Sequence, residues 1–141
     1  MRNGKEEPKT VTQFRDLVVW QNARELANDV YRITSSGPLS REPVLRYQMR
    51  RCALSVVSNI AEGFERDGNR EFVQFLSIAK GSLGELRAQM MIAADQAFID
   101  LNWSRSFDKH ADRVAHLIGG LIRYLRSSGI KGKKFDTGQL H

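Results

Sequence analysis

The chain has 141 residues, of which 41% are hydrophobic and 27% charged, ordinary values for one globular domain with room for a substantial core. Apolar runs as short as Leu17 to Trp20 exclude a helical membrane span, and the polar start MRNGKEEPKT holds no apolar stretch for a secretory signal. A single cysteine excludes an internal disulfide and fits the expected cytoplasmic location, and a formal net charge of +6 points to a polyanionic partner.

Residues 1–13 read as a flexible arm. The first helix is expected from about Asp16 to Thr34, with Asp16 as N-cap. Trp20, Ala23, Ala27, Val30 and Tyr31 form its inward stripe, flanked by Val19 and Leu26. Ser35-Ser36-Gly37-Pro38 ends it, because glycine suits a left-handed C-cap and proline cannot continue the ladder. A second helix starts near Ser40, where Glu42 and Pro43 suit a first turn, and runs to between Gly63 and Arg66.

Asp67-Gly68-Asn69 reads as a tight turn, with Asn69 capping a third helix from about Arg70 to Ala97. Phe72, Phe75, Leu76, Ala79, Leu83, Leu86, Met90 and Ala93 mark its core side. Phe98 to Trp103 is expected as a loop and Ser104 as the cap of a fourth helix, Arg105 to Ser127. Phe107, Ala111, Val114, Ile118, Leu121 and Leu125 are its buried stripe. Residues 128–141 are read as a flexible basic tail. No period-2 stretch competes, so the fold class is all-α: an antiparallel up-down-up-down four-helix bundle over residues 14–127.

The second helix has two faces. Leu45, Met49, Cys52, Ala53, Val56, Ile60 and Phe64 make a core stripe at helical spacing. Gln48, Arg51, Ser55, Asn59, Glu62 and Arg66 recur at the same spacing and are polar throughout. Short hydrogen-bonding groups are indifferent helix formers, so this face is expected to fix the helix against a neighbour, in the bundle or across subunits.

Charge is concentrated late in the chain. Between Arg113 and Lys134 lie six basic residues (Arg113, Arg123, Arg126, Lys131, Lys133 and Lys134) and no acidic one. With Arg105 and Lys109 they make the outer side of the fourth helix and its tail the expected nucleic-acid surface, since guanidinium groups pair well with phosphate. Arg46, Arg50, Arg51, Arg66, Arg70 and Arg87 are further arginines, of which Arg66 has Glu62 four residues away as a neutralising partner. No aromatic stacking platform or base-reading motif is present, so backbone or shape recognition is expected.

Ser77, Gly81, Gly84 and Ala88 fall on one stripe of the third helix, nearly opposite its core side. Each helical glycine costs about 0.8–1 kcal/mol relative to alanine. A bundle neighbour's close approach or plain tolerance would account for the glycines, but a close approach by another subunit's helix would offset that cost, and this stripe is the expected oligomer interface.

No residue set calls for catalysis, a metal or a cofactor. His110 and His116 are six apart on one helix, with nothing to complete a ligand set. Lys80-Gly81-Ser82-Leu83-Gly84 lies mid-helix, where neither a P-loop nor a nucleophile elbow forms. Glu62 and Glu85 read as surface or inter-helix groups, and Cys52 as a packed core residue.

The order of motifs FRDLVVWQNARELANDVYRIT, QMRRCALSVVSNIAEGFER and REFVQFLSIAKGSLGELRAQM resembles the bacterial four-helix bundle family named for proteins encoded in the intervening sequences of 23S ribosomal RNA genes. The most specific part is Ser55, Val56, Asn59, Ile60, Ala61, Glu62, Gly63 and Arg66, followed by Phe72 to Leu86. That family's usual Phe-Pro entry to the second helix is replaced here by Gly37-Pro38-Leu39-Ser40-Arg41-Glu42-Pro43. Its relatives include the accessory variability determinant of diversity-generating retroelements, a basic barrel of five bundles that partners a reverse transcriptase and nucleic acid. The resemblance implies a ring-like homopentamer, RNA or DNA as a partner, and a reverse transcriptase as a further one. The expected function is non-catalytic nucleic-acid binding; the alternative is a protein-interaction scaffold.

Overall fold

The computed structural model describes residues 11–128, and among them there are helices and no strand. Four long helices carry the fold: α1 (Val18–Thr34), α2 (Pro43–Glu65), α3 (Asn69–Asp95) and α4 (Leu101–Ser127). Short 3-10 turns, Phe14–Asp16 and Pro38–Arg41, precede α1 and α2. Helices α1 and α3 each pack on both α2 and α4, so α1 and α3 lie diagonally across the core. No helix among the described residues is long and apolar enough to cross a membrane.

The periodic stripes place most of the core as expected, with Leu45 and Phe75 only half-buried. Met49, Cys52, Ala53, Val56, Ile60 and Phe64 of α2 are buried, as are Phe72, Leu76, Ala79, Leu83, Leu86, Met90 and Ala93 of α3. Phe107, Ala111, Val114, Ile118, Leu121 and Leu125 of α4 join them. In α1 the stripe is rotated: Val19, Ala23, Leu26, Ala27, Val30 and Thr34 are buried, Trp20 is half-buried and Tyr31 is exposed. The amphipathic aromatics sit at the margin, Trp20 edge-on to Phe14 at 5.0 Å and Tyr31 under the Arg50 guanidinium at 4.6 Å. Val11, within the segment read as an arm, is also part of the core.

Helix starts differ from the sequence reading. Asp16 closes a 3-10 turn, and α1 begins at Val18 behind Leu17, which has no capping side chain and is 1% exposed. Burial of Leu17 therefore sets the entry to α1, where a polar cap was expected. Pro43 is the first residue of α2, a position where its missing N–H costs no ladder bond. Ser40 lies in the preceding 3-10 turn.

Helix α4 starts four residues before the expected Arg105. Asp100 caps it, accepting a hydrogen bond from the Trp103 backbone N–H at 2.9 Å, while Ser104 is buried within the first turns. Gly37 (φ 67°, ψ −162°) and Gly68 (φ 92°, ψ 155°) take backbone conformations open essentially to glycine alone, which turns the chain between helices.

The α2–α3 pair is the most extensive contact in the bundle. Cys52 Sγ lies 3.6 Å from Glu85 Oε2 and 3.5 Å from Gln89 Nε2, and Ser55 and Ser82 hydroxyls are 2.8 Å apart. Farther along, Arg66 lies over the Phe75 ring at 5.1 Å. Successive turns of α2 thus meet successively earlier turns of α3.

Candidate nucleic-acid interface

Arg105, Lys109, Arg113, Arg123 and Arg126 all project from α4 as exposed side chains. None of the five pairs with a carboxylate among the described residues. Two acids, Asp108 and Asp112, stand among them on the same helix. Arg87 of α3 takes up both: its Nε and Nη2 donate to the two Asp108 carboxylate oxygens at 2.8 and 3.0 Å, and its Nη1 reaches Asp112 at 3.4 Å. The Arg87 hydrogen bonds hold the Asp108 carboxyl below the usual aspartate range, and Asp108 in turn raises the guanidinium. The acids of α4 are thereby neutralised from α3, leaving the free cations to dominate the outer face. Lys131, Lys133 and Lys134 lie outside the described residues.

Of the other arginines, Arg46, Arg50 and Arg66 are engaged in the fold, while Arg70 is exposed. Arg50 donates to Thr34 Oγ1 at 2.8 Å and to Ser35 Oγ at 3.2 Å, tying α2 to the end of α1. Arg46 donates to the Ser40 carbonyl at 2.5 Å, and Arg66 pairs with Glu62 at 2.9 Å. Arg51 is exposed.

Between the first half of α3 and the last turns of α4 runs a groove of ≈ 450 Å³ bordered by Lys80, Arg123 and Arg126, with Ser77, Gly81, Gly119 and Ile122 between them. A second hollow of ≈ 420 Å³ shares Arg126 and adds Arg70. Sequence reasoning missed Lys80 as part of this surface, treating it only within a rejected loop motif. The available signal was Gly119-Gly120 in the fourth helix, small residues that open space between two helices.

On α2, Gln48, Ser55 and Asn59 are half-buried and Glu62 is exposed. Asn59 Nδ2 donates to the Ser55 carbonyl at 2.8 Å and to its hydroxyl at 3.0 Å, which positions Ser55 toward Ser82. Gly63 is buried against Phe72 and Phe75. These are bundle-internal roles for Ser55, Asn59 and Gly63.

The Ser77, Gly81, Gly84 and Ala88 stripe is exposed, and a Cβ at either glycine would meet nothing within 4 Å. No bundle neighbour therefore explains these glycines. Ile78, Met91 and Ile92 of α3 are each about half exposed beside them, at 53, 54 and 51%. A separate apolar face on α2 exposes Val44, Tyr47 and Leu54, at 74, 64 and 44%.

His110 Nε2 lies 3.1 Å from Asn22 Oδ1 and 3.5 Å from Glu25, an α4–α1 link, while His116 sits beside Asp112. No group of three or more His, Cys, Asp or Glu side chains suited to a metal occurs among the described residues.

Comparison with solved structures finds similarity to a protein with unknown function from the S23 ribosomal protein family of Bacteroides thetaiotaomicron VPI-5482. The two share 20% sequence identity with a TM-score of 0.70, over 75% of this chain and 99% of that one. No curated protein matches the chain. The family model for the 23S rRNA-intervening sequence protein matches residues 15–120, and the chain belongs to that family.

Proposed function

We propose that this protein is a non-catalytic nucleic-acid-binding bundle whose helices run up-down-up-down and whose subunits assemble into a ring. The observation that carries the reading is electrostatic. Five cations of α4 are exposed without a carboxylate partner among the described residues, while Arg87 occupies the two acids between them. A surface of that kind attracts a phosphate backbone by releasing its counterions. The name of the family refers to 23S rRNA, and the structural neighbour's family is named ribosomal, so RNA is the polyanion to test first. A cytoplasmic setting and an accessory role beside a reverse transcriptase fit the same reading through the retroelement relatives.

Assembly is supported by the two apolar faces. A cyclic ring needs two different surfaces that fit each other, and α2 and α3 each expose one. The pentamer follows from the family resemblance. The same faces favour a second reading, a scaffold that binds protein partners and no nucleic acid.

Charge reversal at Arg123 and Arg126 is expected to weaken binding to a structured RNA while the helical circular dichroism signal stays unchanged. Undiminished binding would remove α4 as the surface. Light scattering is expected to show an oligomer, and a strictly monomeric species at micromolar concentration would exclude the ring.

A further inference from the structure

The groove between α3 and α4 brings two cations over one small residue. Gly119 is buried in α4, and a Cβ built there would lie 3.4 Å from Arg123 Nη1 and 3.9 Å from Lys80 Nζ. An ammonium from α3 and a guanidinium from α4 thus converge on a single point. Arg126 stands on the same rim, and Ser77 and Gly81 keep the α3 side low. None of these three cations pairs with a carboxylate among the described residues. Like charges repel, and long basic side chains in solvent are free to turn apart or toward an acid. Here they point into one open volume with neither relief.

A phosphodiester is the chemical match for that volume. The guanidinium fork offers parallel N–H donors to two oxygens of one phosphate, and the ammonium adds a compact charge from the opposite wall. We infer that the Lys80–Gly119–Arg123 groove seats a backbone phosphate of the bound nucleic acid, with Arg126 and then Arg70 continuing the path along the adjoining hollow. This rests on the nucleic-acid reading above and gives it a location. It does not follow from the family match, which ends at residue 120, before Arg123 and Arg126. Gly119 has a role in it: absence of a side chain leaves the space that a phosphate oxygen would occupy.

The test is the affinity of an unrelated RNA hairpin, followed by fluorescence anisotropy between about 50 and 200 mM salt. Lys80→Gln with Arg123→Gln is expected to lose at least about tenfold in affinity. The slope of log K against log salt should shrink by about 0.7–0.9, the contribution of one phosphate contact. Arg24→Gln with Arg32→Gln removes the same charge from α1, the helix diagonal to α3, and is expected to change affinity by less than about threefold, a general charge effect. Gly119→Ala fills the seat while improving helix propensity, so binding should weaken in a protein at least as stable as the parent.

If the parent binds RNA and the Lys80/Arg123 variant binds equally well, the groove is wrong and the function stands. Failure of the parent itself to bind at low salt would overturn both. A change in subunit number, with affinity per subunit unchanged, would mean that carboxylates of a second copy fill the groove, and would also overturn the inference.

Discussion

Gly63 in α2 lies so close to Phe75 in α3 that a Cβ added at Gly63 would sit 2.8 Å from the Phe75 Cβ. Phe72 crowds the same point, its Cδ1 at 2.9 Å and its backbone carbonyl at 3.3 Å. Neither backbone nor a Cβ can swing aside. Gly63→Ala should therefore pay about 1–3 kcal/mol for overpacking, against a propensity gain of about 0.8–1 kcal/mol. The expected outcome is a net loss of up to about 2 kcal/mol in urea unfolding. Gly81→Ala, with open space around it, should stabilise the isolated subunit by up to about 1 kcal/mol. If Gly81 lies in a subunit contact, the same substitution shifts the assembly toward smaller species on dilution.

Asp108 supplies an acid-sensitive link between α3 and α4. Its carboxyl is held below its ordinary value by the Arg87 hydrogen bonds, so it binds a proton less readily folded than unfolded. Its contribution is full above the unfolded aspartate value near 4, and is lost as pH falls from there through the lower folded value. Both partners are partly solvated, at 27 and 35% exposure, so screening limits the effect to about 0.5–1 kcal/mol. Asp108→Asn should cost about that much at pH 7 and flatten the stability profile below pH 4, measured by urea midpoints.

Ala97 ends α3 with φ 59°, and the Phe98 and Ala97 backbone N–H groups donate to the Ala93 and Ala94 carbonyls, both at 2.9 Å. This is the Schellman arrangement, which prefers glycine at the left-handed position. Ala97→Gly should stabilise by up to about 1 kcal/mol, since an L-residue pays roughly 1–2 kcal/mol there and glycine's extra unfolded-state freedom returns part of it. A higher thermal midpoint checks this.

Cys52 should behave as an inert core residue. Burial raises its thiol, and the Glu85 carboxylate raises it further against an opposing hydrogen bond from Gln89. Iodoacetamide at pH 8 is expected to leave the native thiol largely unmodified and to label it promptly in urea. Prompt native labelling would mean that the α2–α3 seam opens readily.

What the sequence made legible followed periodicity. Leu76, Ala79, Leu83 and Leu86 recur at threes and fours, and that spacing alone identifies the buried side of a long helix. Helix starts were less legible, because Asp16, Ser40 and Ser104 are as good as Asp100 on local capping chemistry. Only tertiary burial of Leu17 and Ser104 separates them. Asn69 is sharper still. Expected to cap α3, it lies inside that helix and donates its side-chain amide to the Leu125 carbonyl at the end of α4, 3.2 Å away and 56 residues on. Lys80 was hidden for the same reason, since its convergence on Arg123 depends on which faces of α3 and α4 meet.

The measurement that bears most directly on nucleic-acid binding is the salt dependence of the unmodified protein's affinity for a structured RNA. If the free cations of α4 and the groove contact phosphates, log K falls linearly with log salt, by about 0.7–0.9 per contact. Several contacts should therefore give a steep slope. Absence of binding at about 50 mM salt, or an affinity that does not change up to about 200 mM, would contradict it.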